Sequence, residues 1–299
     1  MTLTKLSGFS ITETVVSAEF RCNFMESMKS RVLTAAIGIP LAVVLLVLGE
    51  FFHPIMYIIV SLLNLIMIYE LLLAKKLHTN AGIFIPCAVY AVVQPLLIPF
   101  KFGYITLYAF IVVMFLMMIK DFKKVTYGDL CYSAFGTMVI VYGLSSLLLL
   151  PPMYDNYFTF FFVLCIGICW FADAGAYFTG VYFGKHKLCP QISPNKTVEG
   201  FIGGIAAGTV SSFLIGFVYT FIYNNAKFDF LLLFVVGLAA SLISVLGDLS
   251  FSVIKRSCKI KDFGSIFPGH GGFLDRFDSV ILAAPMIYFI GKYFSIFSI

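Results

Sequence analysis

The stretch "FLLLFVVGLAASLISVLGDLSFSVIKRSCKIKD", residues 230–262, changes character at its middle. From Phe230 to Gly247 there is no charge, whereas from Asp248 onward come Lys255, Arg256, Lys259, Lys261 and Asp262. A bilayer core about 30 Å thick is crossed by roughly 20 mostly apolar helical residues, and lipid offers backbone amides no partner, so the crossing form is a helix. The first part therefore reads as a transmembrane helix, and the helical pattern runs on past the membrane surface. On that extension Asp248, Ser252 and Lys255 stand at i, i+4 and i+7, with Arg256 at i+8. An acid, a hydroxyl and two cations then share one stripe.

Working outward, the whole chain has the same bias. Mean hydropathy is +1.00, only 12% of residues are charged, and 34 of 299 are Phe; this composition belongs to polytopic membrane proteins. The expected fold is all-α, with nine transmembrane helices at 32–49, 53–73, 82–100, 103–119, 133–150, 157–181, 201–223, 230–247 and 280–298. If the N-terminus is cytoplasmic, seventeen of the twenty Lys and Arg fall on inner segments, as the positive-inside rule requires. The expected organisation is a cytoplasmic tail at 1–29, a five-helix scaffold at 30–156, and a catalytic region at 157–299 with inner loops 182–200 and 249–279. Met25 and Met28 are alternative starts to Met1. The first span resembles a signal peptide but has no convincing cleavage site, so it reads as a retained helix.

The seven cysteines form no metal or disulfide pattern; Cys165 and Cys169 share a helix face as small packing residues. A pI near 8.7 calls for no nucleic-acid partner, because basic loops facing anionic membrane lipids explain it. Glu70 reads as paired with Lys75 and Lys76. Asp173, inside the sixth span, is either a helix cap at the interface or a functional acid, since an ionisable group in hydrocarbon usually marks a site.

The loop "GKHKLCPQISPNKTVEGFIGG", residues 184–204, follows that span. Ser193-Pro194 reads as a turn, Thr197 as a helix cap, and Gly200, Gly203 and Gly204 as points of close backbone approach. Lys196 beside the helix start favours an anion such as phosphate, although the spacing is not that of a Walker A loop. From Lys261 runs "KDFGSIFPGHGGFLDRFDS", in which Asp275 and Asp278 share a face as the last helix begins. Nine of the 35 charged residues lie between Asp248 and Asp278. Paired acids beside a basic stripe suit a divalent cation bridging protein and phosphate oxygens.

The 27 residues from Ser252, "SVIKRSCKIKDFGSIFPGHGGFLDRFD", resemble the signature of the phosphatidate cytidylyltransferases, or CDP-diacylglycerol synthases. The upstream stretches "SPNKTVEGFIGG" and "DAGAYFTGVYFGKHK" are similar to further motifs of that family. The resemblance implies condensation of CTP with phosphatidic acid to CDP-diacylglycerol and pyrophosphate, at the cytoplasmic face of the inner cell membrane. It also implies Mg2+, with a second, monovalent cation an open question. On this basis Asp248, Asp275 and Asp278 are the expected metal ligands, with Asp173 a fourth acid. Lys196, Lys255, Arg256, Lys261 and Arg276 would neutralise phosphates, while Ser193, Thr197 and Ser252 would donate hydrogen bonds. Gly269, Gly271 and Gly272 would close backbone amides around a phosphate. His270 reads equally as a ligand contact and as a packed loop residue. The small residues at Gly203–Gly208 offer a face for a homodimer. The competing readings are a CTP-dependent enzyme acting on another lipid phosphate or polyisoprenol, and, in a different class, a transporter. A transporter would place its polar groups near mid-bilayer between matched broken helices.

Overall fold

The structure is a computed structural model describing residues 36, 38, 40–150, 159–223, 227–266, 271–294 and 296. The N-terminal tail, with Met25 and Met28, and the loop residues Gly269 and His270 lie outside the described residues. The protein is all-α and polytopic. Helix α1 (Pro40–Phe51) is followed by α2 (Pro54–Ala74), α3 (Ala81–Leu97), α4 (Gly103–Lys120), α5 (Tyr127–Ser145) and α6 (Phe160–Phe183). A two-stranded antiparallel hairpin, β1 (Lys187–Cys189) and β2 (Ser193–Thr197), then leads into α7 (Val198–Ile222), α8 (Phe230–Ser257) and α9 (Leu274–Tyr293). Among the described residues, seven helices, α2 to α8, are long and apolar enough to cross a membrane. Their outer faces carry exposed Tyr182, Phe217, Phe221 and Leu231, the arrangement lipid favours because it solvates apolar surface.

Helix starts follow local chemistry. Thr126 and Asp129 form a reciprocal capping box at the start of α5, so this helix begins earlier than the apolar run alone indicates. Asp229 caps α8 by accepting from the amides of Leu231 at 2.9 Å and Leu232 at 3.1 Å. Thr197 caps α7 through the Gly200 amide at 3.0 Å. Ser193 and Pro194 do not form the expected turn: they open strand β2, and the chain reverses at Pro190–Gln191. Helix α9 begins at Leu274, so the charged turn with Asp275 and Asp278 opens the last helix as expected, ahead of the apolar run from 280.

The glycines at the start of α7 let it lie directly against α6. A Cβ on Gly204 would stand 2.8 Å from the carbonyl oxygen of Ala172, and one on Gly208 3.1 Å from that of Ile168. Backbones come this close only where small residues line the contact. The face expected to serve a homodimer is thus occupied by α6 of the same chain. Ser212 of α7 donates to the Leu233 carbonyl of α8 at 2.8 Å, and α9 packs against α5, α6 and α8 through buried Ile281, Ala284 and Ile287. The hairpin, the starts of α7 and α9 and the last turns of α2 and α8 meet at one end of the bundle.

Candidate active site

Four elements converge at that end: the second half of α6, strand β2, the last third of α8 and the first turn of α9. Lys196 of β2 forms an ion pair with Asp248 of α8. Their side chains are 27% and 25% exposed, so the pair is accessible from outside. One turn further along α8, Ser252 donates to Asp248 Oδ1 at 3.4 Å, which is the contact the i, i+4 spacing requires. Asp173, on α6, is exposed, yet stands within electrostatic reach of Asp248, Lys196 and Arg276. Exposure combined with charged neighbours on several sides describes a group on the wall of a cleft. Asp278, only 5% exposed, is within reach of both Asp248 and Asp173. Its Oδ1 accepts from the Ser279 amide at 2.8 Å, and its ion pair with Lys255 is long, 3.8 Å.

Lys255 is shared. Its Nζ lies 2.8 Å from Asp275 Oδ1, with side chains 11% and 5% exposed, and over the Phe263 ring at 5.5 Å. The other Asp275 oxygen accepts from the amides of Phe263 at 2.8 Å and Gly272 at 3.0 Å. Asp275 therefore differs from its neighbour three residues on: both oxygens are engaged by protein donors. The Gly272 amide, expected to wrap a phosphate, is taken by the same carboxylate. Gly271 has φ +83°, a conformation glycine adopts without strain, and this turn brings the following amides round to the acids.

The remaining expected residues divide between frame and periphery. Arg256 is bound to two carbonyls, Ile192 at 3.4 Å and Ile260 at 3.3 Å, and so ties the hairpin to the end of α8. Thr197 is spent on its cap. Ser193 is half-buried at the start of β2, and Lys261 is exposed on the loop after α8. Arg276 is exposed in the first turn of α9. The structure thus brings together Asp173, Lys196, Asp248, Ser252, Lys255, Arg276 and Asp278.

Two contacts were missed from the sequence. Glu199 holds the hairpin shut: its Oε2 accepts from the amides of Lys185 at 3.1 Å and His186 at 3.2 Å, and Oε1 meets His186 Nδ1 at 2.6 Å. Glu70 does not pair with Lys75 or Lys76. Lys75 instead lies 2.7 Å from Asp129, and Glu70, 1% exposed, accepts from the amides of Phe273 at 3.0 Å and Leu274 at 2.8 Å. An acid inside an uncharged run was the available signal, but the basic pair just after it supplied a misleading partner.

Among the described residues no three His, Cys, Asp or Glu side chains are close enough to hold a metal ion by themselves. The carboxylates of Asp173, Asp248, Asp275 and Asp278 nevertheless outnumber Lys196, Lys255 and Arg276, the cations that face them. Such a set fits Mg2+, which keeps water and takes substrate phosphate oxygens alongside one or two carboxylates.

The chain matches the Cytidylyltransferase family over residues 29–294. It is similar to a phosphatidate cytidylyltransferase of Staphylococcus haemolyticus, with 34% identity over 87% of this chain and 97% of the relative. A Rickettsia bellii phosphatidate cytidylyltransferase is 36% identical over 61% of this chain and 79% of its own length. One from Bacillus subtilis is 44% identical over 47% of this chain, an alignment spanning about half of that relative, 51%. With a polar cleft of this make-up cut into a bundle of membrane helices, and with the match running nearly end to end, the chain belongs to the cytidylyltransferase family.

Proposed function

We propose that the protein is a phosphatidate cytidylyltransferase, joining CTP to phosphatidic acid to give CDP-diacylglycerol and pyrophosphate in phospholipid synthesis. The observation that carries this reading is one cleft holding Asp173, Asp248 and Asp278 with Lys196, Lys255 and Arg276 at one end of a membrane bundle. The names of the curated relatives support the substrate pair. In this reading α1 and α9 are further crossings, making nine, and the cleft faces the cytoplasm of a cell membrane.

The chemistry suits these residues. A phosphate monoester is largely dianionic at neutral pH, since its second pKa is about 6, so the lipid headgroup needs no strong base. One of its oxygens attacks the α-phosphorus of CTP. A new P–O bond forms while the bond from that phosphorus to the β-bridging oxygen breaks, and the electron pair leaves with pyrophosphate. The obstacle is repulsion between polyanions, and positioned cations offset it. Lys196 and Arg276, both open to the cleft, meet the phosphates. Ser252 orients Asp248, and Lys255 with Asp275 forms the buried frame. Mg2+ would be held by Asp248 and Asp278, with Asp173 beside them, and when bound supplies positive charge on the phosphate oxygens. Asp275, expected with Asp248 and Asp278 as a metal ligand, is left out of this set, since its oxygens are engaged.

The lipid has a seat. A cavity of about 470 Å3 lies between α1, α2, α6 and the start of α9, lined by Leu41, Leu45, Val60, Trp170 and Phe277, with Arg276 the one charged wall residue among the described residues. In this reading an acyl chain occupies it while the headgroup phosphate turns to Arg276.

The test is incubation of purified protein with phosphatidic acid, labelled CTP and Mg2+. Labelled CDP-diacylglycerol is expected; its absence from folded protein would overturn the proposal, and preferential labelling of a different lipid phosphate would replace the substrate.

A further inference from the structure

We infer that Glu70, on α2 in the N-terminal part of the chain, is a positioning residue for the reaction: it fixes the loop preceding α9 and thereby the placement of Arg276 and Asp278. The inference rests on the proposed function for the identity of the reaction, but its structural part stands by itself.

Three observations carry it. First, Glu70 is 1% exposed, and both its oxygens face the loop: Oε1 takes the Phe273 amide at 3.0 Å and Oε2 the Leu274 amide at 2.8 Å. These amides open α9, where unpaired N–H groups and the helix dipole favour a negative charge. A buried charge is retained only where such donors satisfy it. Second, the described residues on either side of the loop close on the carboxylate. A Cβ on Gly272 would stand 2.5 Å from Oε2, and one on Gly264 would overlap Oε1; the acid lies between the two ends of the loop. Third, Glu70 acts beside Asp275, which binds the amides of Phe263 and Gly272. The amides of Gly272, Phe273 and Leu274 are therefore all directed at protein carboxylates.

Glu70 itself is not among the residues gathered in the cleft; the network reaches the cleft through Asp275, which is ion-paired with Lys255. Arg276 and Asp278 follow two and four residues after Leu274, so the register in which α9 begins decides where both point. Displacement of reacting groups by about 1 Å can cost on the order of 100-fold in rate.

The experiment uses the full-length protein in detergent or bilayer. In Glu70→Gln, which keeps shape but turns one acceptor into a donor facing an N–H, kcat is expected to fall at least about tenfold with KM for CTP within about twofold. Hydrogen exchange, measured without substrate, should rise in residues 262–266 and 271–278 and stay unchanged in the other described helices. Gly264→Ala perturbs the same contact from the loop side without altering Glu70 and should show the same signature; in a Glu70→Ala background, which removes the obstructing carboxylate, it should have no further effect. Wild-type kcat with unchanged loop exchange in either single variant overturns the assignment. So does a rise in exchange across all helices in both, which would make Glu70 a general stabiliser. Failure of the proposed reaction would show separately, as an inactive wild type with an intact exchange result.

Discussion

Lys196–Asp248 and Lys255–Asp275 are the same chemical pair placed at two depths. The first is about a quarter exposed on both sides and has one neighbouring hydroxyl. The second is 11% and 5% exposed, with two amides completing the acid. An open pair loses little when a phosphate or a metal ion takes over one partner, because water and substrate remain available to the other. A closed pair cannot exchange: removing one member leaves a buried charge unmatched. On the proposed function, the difference separates residues placed to meet substrate from residues that hold them, a distinction the residue types alone do not make.

The comparison can be broken by substitution. The largest effect is expected for Asp248→Asn, which should bring product formation below detection while the melting temperature stays near wild type; measurable turnover would remove Asp248 from the reacting cleft. Next come Asp275→Asn and Lys255→Met, expected to destabilise the folded protein by about 3–5 kcal/mol, the cost of splitting a buried pair, as read by thermal unfolding. Wild-type stability in both would show that the inner pair is no more structural than the outer. Smaller is Lys196→Met, expected to lower kcat by about 10²–10³, as loss of one positioned charge-stabilising donor does, with stability little changed. A change confined to KM would reduce Lys196 to a binding contact.

Much of the fold was legible because lipid makes one demand on every crossing: α2 to α8 each contain a long, mostly apolar run that can be read off directly. The errors lie where polarity and helicity part company. Helix α5 starts at Tyr127, six residues before the expected 133, since Thr126 and Asp129 cap it ahead of its apolar run. The hairpin 187–197 has strands too short for a period to show. At the site, the stripe Asp248–Ser252–Lys255 was legible because i, i+4 spacing is a local property. The assignment of Asp275 was not, since what occupies it is Lys255 from another helix and amides from across a loop. Glu70 fails for the same reason: its partners lie 203 and 204 residues away, while lysines that it does not touch stand next to it.

That separation has a consequence for how the molecule is made. A ribosome adding about 5–20 residues per second needs on the order of 10–40 s to travel from Glu70 to the amides that receive it. Throughout that interval α2 carries an acid with no mate in the nascent chain, and water must serve it. The cleft becomes whole only when the final helix docks, so a truncated product would advertise itself to the cell's quality control by an unsheathed carboxylate at the membrane surface.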